Sequence, residues 1–157
     1  MKYEAKIMIR EKRHNQVPGD FLSRRLAQRA DRGEDLSGLD LRGATLTRVD
    51  FRGALLRETN MCHADLRGAR FEGADLRGAH LWNADLTDAR FDGADLTGAD
   101  LDYAKLDGAV FLGARLARAD LPDRCVTRFD IRRSVRFGES IPQRNQSQRP
   151  RNKHHYA

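Results

Sequence analysis

Cys62, His63 and His80, with Asp100 twenty residues beyond His80, are the residues of this 157-residue chain whose types suggest reactive chemistry. Two chemistries use such residues. A zinc site needs four ligands in closely spaced pairs, and this spacing matches no such motif. A nucleophilic cysteine needs an adjacent base, an oxyanion-stabilising group and a concave pocket, and nothing around Cys62 supplies the last two. No catalytic residue, no metal and no cofactor is therefore expected, and the chain does not read as an enzyme. The chemistry that does suit these residues is recognition. Asn60, His63, His80, Trp82, Asn83, Asp100, Asp102 and Tyr103 form a polar set around the chain's single tryptophan. Aromatic rings among polar neighbours mark interfaces.

The elements that position them follow from a period of five. From Leu36 to Leu121 every fifth residue is apolar, without a break in register. Two residues earlier, from Ala44 to Ala119, the residue is alanine in 14 of 16 cases; Val49 and Thr59 are the exceptions. Two residues later it is glycine in 10 of 17. A helix would wind a five-residue step around all its sides, and a straight strand would alternate it in and out. A chain that turns a corner every five residues buries it on one face. The alanine and the central residue share that face, and the residue between them, commonly aspartate, points out. Glycine at the corner supplies the positive φ of a type II turn. Four corners close a square, so a second period of 20 is expected. Phe51, Phe71, Phe91 and Phe111 show it and predict a stacked phenylalanine ladder. Trp82, just after central Leu81, points outward. Asp50, Arg70 and Arg90, beside Arg52, Glu72 and Asp92, are expected to pair across coils. Asp65 over Asp85 and Asp75 over Asp95 are expected to repel mildly.

Runs such as Ala64-Asp65-Leu66-Arg67-Gly68, Ala74-Asp75-Leu76-Arg77-Gly78 and Ala94-Asp95-Leu96-Thr97-Gly98 resemble the pentapeptide-repeat proteins. The resemblance covers about residues 34–123. It implies an all-β fold, a right-handed quadrilateral β-helix with one coil per 20 residues. Some relatives of this kind are regarded as mimics of duplex DNA that bind type II topoisomerases such as DNA gyrase.

Three domains are expected: residues 1–33, a strand and a capping helix; 34–131, the repeat; 132–157, a basic and largely disordered tail. Tyr3, Ala5, Ile7 and Ile9 alternate as in a strand. Phe21, Leu22, Leu26 and Ala30 make an apolar stripe on a helix that Asp20 caps and Gly33 ends, with Arg24, Arg25, Arg29 and Arg32 facing out. Phe129, Ile131, Val135 and Phe137 are placed to close the far end.

The net charge of +6 hides an asymmetry: +5 over residues 1–33, −6 over 34–123 and +7 over 124–157. Arg132, Arg133, Arg136, Arg144, Arg149, Arg151 and Lys153 are candidates for attachment to nucleic acid or another anionic surface. No apolar run is long enough for a membrane helix, and two cysteines fit a reducing, cytoplasmic setting. Three functions follow from these features. The first is a non-catalytic scaffold docking an unidentified protein through Trp82 and Tyr103. The second is a DNA-mimic-like topoisomerase binder. The third is attachment through the basic ends, as in a phage structural or accessory protein.

Overall fold

The computed structural model describes residues 19–122 and 128–141. Helix α1 (Gly19–Asp31) and helix α2 (Arg128–Phe137) bracket a stack of coils. Parallel bridges join residues 20 apart, from Asp35↔Leu55 to Asp100↔Asp120. The same three backbone bonds recur on each side of each coil. The central residue donates to the next coil (Leu41 N–H to Asn60 O, 2.7 Å), and so does the corner (Gly53 N–H to Glu72 O, 2.9 Å). The residue before the central one donates back (Asp65 N–H to Ala44 O, 2.9 Å).

The five-residue grammar explains the burial. Central residues from Leu36 to Phe111 are fully enclosed, and the alanines two before them lie against them. Alanine leaves room for one large residue per side, so the tube is filled without overpacking. At every corner the central carbonyl accepts the N–H three residues on, as from Ala74 to Phe71 O at 2.9 Å. The corner residue has a positive φ, whether glycine or not. The phenylalanines stack as expected: ring centroids are 5.7 Å apart for Phe51–Phe71, 5.0 Å for Phe71–Phe91 and 4.7 Å for Phe91–Phe111.

The outward aspartate does more than face solvent. Its Oδ1 accepts the N–H of the first turn residue, as Asp65 does from Arg67 and Asp95 from Thr97. This satisfies a donor that the coil-to-coil ladder leaves out. Arginine at that turn position then forks back onto the same carboxylate: Arg42 on Asp40, Arg52 on Asp50, Arg67 on Asp65 and Arg77 on Asp75. The Phe-ladder side accordingly pairs mainly within a coil (Asp50–Arg52, Arg70–Glu72, Arg90–Asp92), contrary to the expected cross-coil pairing; Arg90–Glu72 at 3.5 Å crosses. Likewise the stacked aspartates are each satisfied by their own donors: Arg67 at Asp65, Lys105 at Asp85, Arg77 and Arg57 at Asp75, and Thr97 at Asp95. Proximity of like charges is offset locally.

Each end of the stack has orphan backbone carbonyls and N–H groups. A helix with a buried serine meets each. On α1, Ser23 Oγ donates to Thr45 O at 3.4 Å. On α2, fully buried Ser134 accepts the Phe111 N–H through Oγ at 2.9 Å. The last turn of α2 and the chain past it continue the ladder: Val135 O takes the Gly113 N–H, Ile141 O takes the Gly108 N–H, and Ile141 N–H donates to Ala109 O. Gly138, at positive φ, ends α2 with its N–H on Ser134 O. Gly33 ends α1 in a Schellman motif, with Glu34 N–H on Arg29 O and Gly33 N–H on Ala30 O.

Several expectations change. Helix α2 crosses the boundary drawn between 131 and 132, and Ile141 beyond it is bonded to the coils. The polar composition of this stretch hid it: what fastens it is backbone bonding and Ser134, besides buried Ile131. Phe137 does not close the tube but is 62% exposed. Phe21 is 49% exposed under the Arg25 guanidinium, because Ser23 and Ala27, rather than Phe21, share the buried face with Leu22 and Leu26. Helix α1 starts at Gly19, which places Asp20 inside the first turn and not at the cap. The expected strand at 3–9 lies outside the described residues, as does 142–157.

Ser134→Ala strands the Phe111 N–H and should cost about 1–3 kcal/mol in urea unfolding, with exposed Ser140→Ala as a neutral control. Equal stability of the two variants would contradict the capping role. The carboxylate clasps also set the acid limit. Arg77 first, and Arg57 after it, hold Asp75 well below the ordinary aspartate value of 3.8 against partial burial that opposes them. Arg52 does the same for Asp50 and Arg67 for Asp65. A folded value below the unfolded one contributes stability that is complete above 3.8 and lost as pH falls below it. The melting temperature should be level from pH 7 to about pH 5 and drop below about pH 4. A melting temperature rising toward pH 3 would contradict this.

Candidate protein-docking site

Because residues 20 apart stack, the side centred on Met61, Leu81 and Leu101 and its following turn form columns. Asp40, Asn60, His80, Asp100 and Asp120 make one, joined by successive bridges. Arg42, Cys62, Trp82 and Asp102 make the second, and Gly43, His63, Asn83 and Tyr103 the third. All eight residues singled out for recognition therefore fall on one side and one corner of the rod. Trp82 is 37% exposed and Tyr103 49%. Their rings are 5.7 Å apart, and His63 meets Trp82 edge-on at 4.8 Å. Asn83 Nδ2 donates to His63 Nδ1 at 2.9 Å, which orients the imidazole as acceptor. The polar residues also hold the turns: Asn60 Oδ1 accepts from Cys62 N–H, Asp100 Oδ1 from Asp102 N–H, and Asp102 Oδ1 from Tyr103 N–H. Cys62 is a free, half-buried thiol lying 3.9 Å from His80 O. Among the described residues no group of three or more His, Cys, Asp and Glu side chains could hold a metal.

The corner carries a feature that spacing alone did not reveal. His63, Asn83 and Tyr103 have φ of 58°, 53° and 60°. On the Phe-ladder corner the corresponding residues are Gly53, Gly73, Gly93 and Gly113. Side chains in the left-handed region cost stability unless Asn or Asp relieves it locally. Three successive coils thus retain side chains where glycine is the unstrained choice. The signal was present in the sequence as non-glycine residues at the glycine register.

The basic candidates are not gathered in this way. Arg132 and Arg136 are exposed on α2, where Arg136 lies over the Phe137 ring. Arg133 belongs to the same helix. Arg144, Arg149, Arg151 and Lys153 lie outside the described residues. No helix among the described residues is long and apolar enough to cross a membrane.

The family model for pentapeptide repeats matches residues 35–73, 64–102 and 94–128, with eight copies. The chain belongs to the pentapeptide-repeat family. This pentapeptide-repeat chain is also similar to solved structures. Rfr23 from the cyanobacterium Cyanothece 51142 is 32% identical, with a TM-score of 0.48 over 58% of this chain and 58% of Rfr23. The match thus spans little more than half of Rfr23. A pentapeptide repeat protein from the Arabidopsis thaliana thylakoid lumen is 42% identical over 59% of this chain and 71% of its own, with a TM-score of 0.39. QnrB1, a plasmid-mediated fluoroquinolone resistance protein, is 24% identical over 57% of this chain and 53% of its own, with a TM-score of 0.43. No curated protein matches the sequence.

Glu58→Gly relieves a positive φ of 54° and should raise stability by up to about 1 kcal/mol. Tyr103→Gly relieves the same strain but forfeits a ring contact of about 0.5–1.5 kcal/mol, so its net change should be near zero. Urea unfolding that finds the two variants equally stabilised would show that the ring contact contributes nothing.

Proposed function

We propose that this pentapeptide-repeat protein is a non-catalytic docking module. Its coils, residues 34–122, serve as a rigid right-handed quadrilateral β-helical rod, and the side bearing Trp82 and Tyr103 receives a protein partner. Residues 1–33 act as the N-terminal capping region, and the chain from 132 onward carries the basic C-terminal segment. The observation that supports this reading is the exposed His63–Trp82–Tyr103 stack held on three successive left-handed corner residues. Large rings on a rigid backbone contribute contact area at little entropic cost. The tube itself is filled with Leu, Phe, Met and Ala, so a partner meets the outer faces.

The acidity of the lower coils favours a second reading, binding of a type II topoisomerase in place of DNA. Residues 80–122 hold eight aspartates against four Lys and Arg. The arginine clasps at Asp40, Asp50, Asp65 and Asp75 count against it, since they neutralise the upper coils.

A photo-reactive residue placed at 82 in the full chain, in its native host, should cross-link to a discrete partner. The same residue at Arg90, on the opposite side, should not. Equal labelling at both positions, or none at 82, would contradict the docking reading. A supercoiling assay separates the second reading: a gyrase activity unchanged by the protein removes it.

A further inference from the structure

The rod neutralises its outward acids by a local rule that is broken at one corner. Where an acid precedes the central residue, the first turn residue is commonly an arginine that forks onto it, as in Asp65–Arg67 and Asp75–Arg77. Where it is threonine, at Thr87 and Thr97, the hydroxyl donates to the acid. After Asp100 the first turn residue is Asp102, a second carboxylate. Asp100 and Asp102 each use Oδ1 on a turn N–H, and neither Oδ2 has a partner among the described residues. Asp120 stacks beneath Asp100. Among the described residues no lysine or arginine forms an ion pair with Asp100, Asp102 or Asp120. Trp82 sits one coil away in the column of Asp102, with a third of its surface exposed.

We infer that this corner receives an arginine side chain from an extended segment of the partner protein. The inference rests on the docking reading and names the partner's chemistry. A guanidinium is planar: it can pack against an indole while its fork addresses carboxylates on the neighbouring coil. Asp100 and Asp102 supply the fork's acceptors, and Trp82 supplies the platform. Charge complementarity selects this occupant. An acidic or purely apolar segment would leave two carboxylates facing like charge or shut off from water without a partner.

Trp82 is the chain's only tryptophan, so its fluorescence reports on this corner alone. The full chain is titrated with a ten-residue Ala/Arg peptide, an Ala/Lys peptide and an Ala/Glu peptide at 150 mM salt. The Arg peptide should shift Trp82 emission saturably, the Lys peptide should bind at least several-fold more weakly, and the Glu peptide should have no effect. The double variant Asp100→Asn with Asp102→Asn, whose amide oxygens still accept the turn N–H groups, should weaken the Arg peptide at least ten-fold. Asp88→Asn, on the next corner, should leave it unchanged. An Arg response absent in the native chain, retained in the double variant or matched by the Lys peptide would overturn the inference. So would emission that shifts with protein concentration alone, which would make a second copy the occupant. If the peptide fails while cross-linking at 82 still captures a partner, the cation assignment falls and docking stands. Failure of both removes the docking reading.

Discussion

Stacking of one coil on the next through main-chain hydrogen bonds is the constraint on which the rest of this molecule depends. It demands that the chain return to the same place every 20 residues. That return requires a sharp turn after each five, and the turn requires a left-handed residue at each corner. The positive φ at every corner from Gly38 to Arg118 is the cost of closure. The inward alanines and large apolar residues follow, since only one large group per side fits within the ring. So do the outward aspartates, which satisfy the turn N–H that the ladder cannot reach.

The same constraint makes the ends a problem, because a stack has a first and a last coil. Both caps solve it with a helix carrying a buried serine, and a hydroxyl suits both because it can donate or accept. Ser23 donates to a carbonyl of the first coil, and Ser134 accepts from an N–H of the last. Blocking the open edges in this way prevents other chains from adding on as further coils. The C-terminal cap is the more complete, with Val135 and Ile141 carbonyls also in the ladder.

What could be read from the sequence divides along the same line. The repeat was legible because its physics is local: five residues specify a side, and Phe51, Phe71, Phe91 and Phe111 reveal the 20-residue return. The grouping of His63, Trp82 and Tyr103 on one face followed from that register without further information. The N-terminal capping helix was legible from Leu22, Leu26 and Gly33, but the bonds that fasten the caps were not, because no periodicity links Ser23 to Thr45 or Ser134 to Phe111. Phe21 misled for a related reason: apolarity suggested burial, but the buried face of α1 was set by where Ser23 had to reach. The arginine clasps were missed because stacking columns drew attention across coils, whereas the partner lay two residues along the chain. The strain at His63 and Tyr103 needed only the observation that glycine was missing from its register.

Site and scaffold meet at the corner following Leu81 and Leu101, where the fold's demand for glycine is overridden and its habit of self-neutralisation lapses. Both departures assume that the corners and ladder are built as described. Amide hydrogen exchange, resolved residue by residue on the full chain, tests that most directly. In each five-residue unit four amides are bonded to backbone, while the first turn residue is held only by a side chain, as at Arg67, Arg77 and Thr97. Exchange should therefore be fast at one amide in five, at these positions, and slow at the other four through the middle coils. Uniform protection, or fast exchange at the corner glycines such as Gly73 and Gly93, would contradict the stacked-coil account.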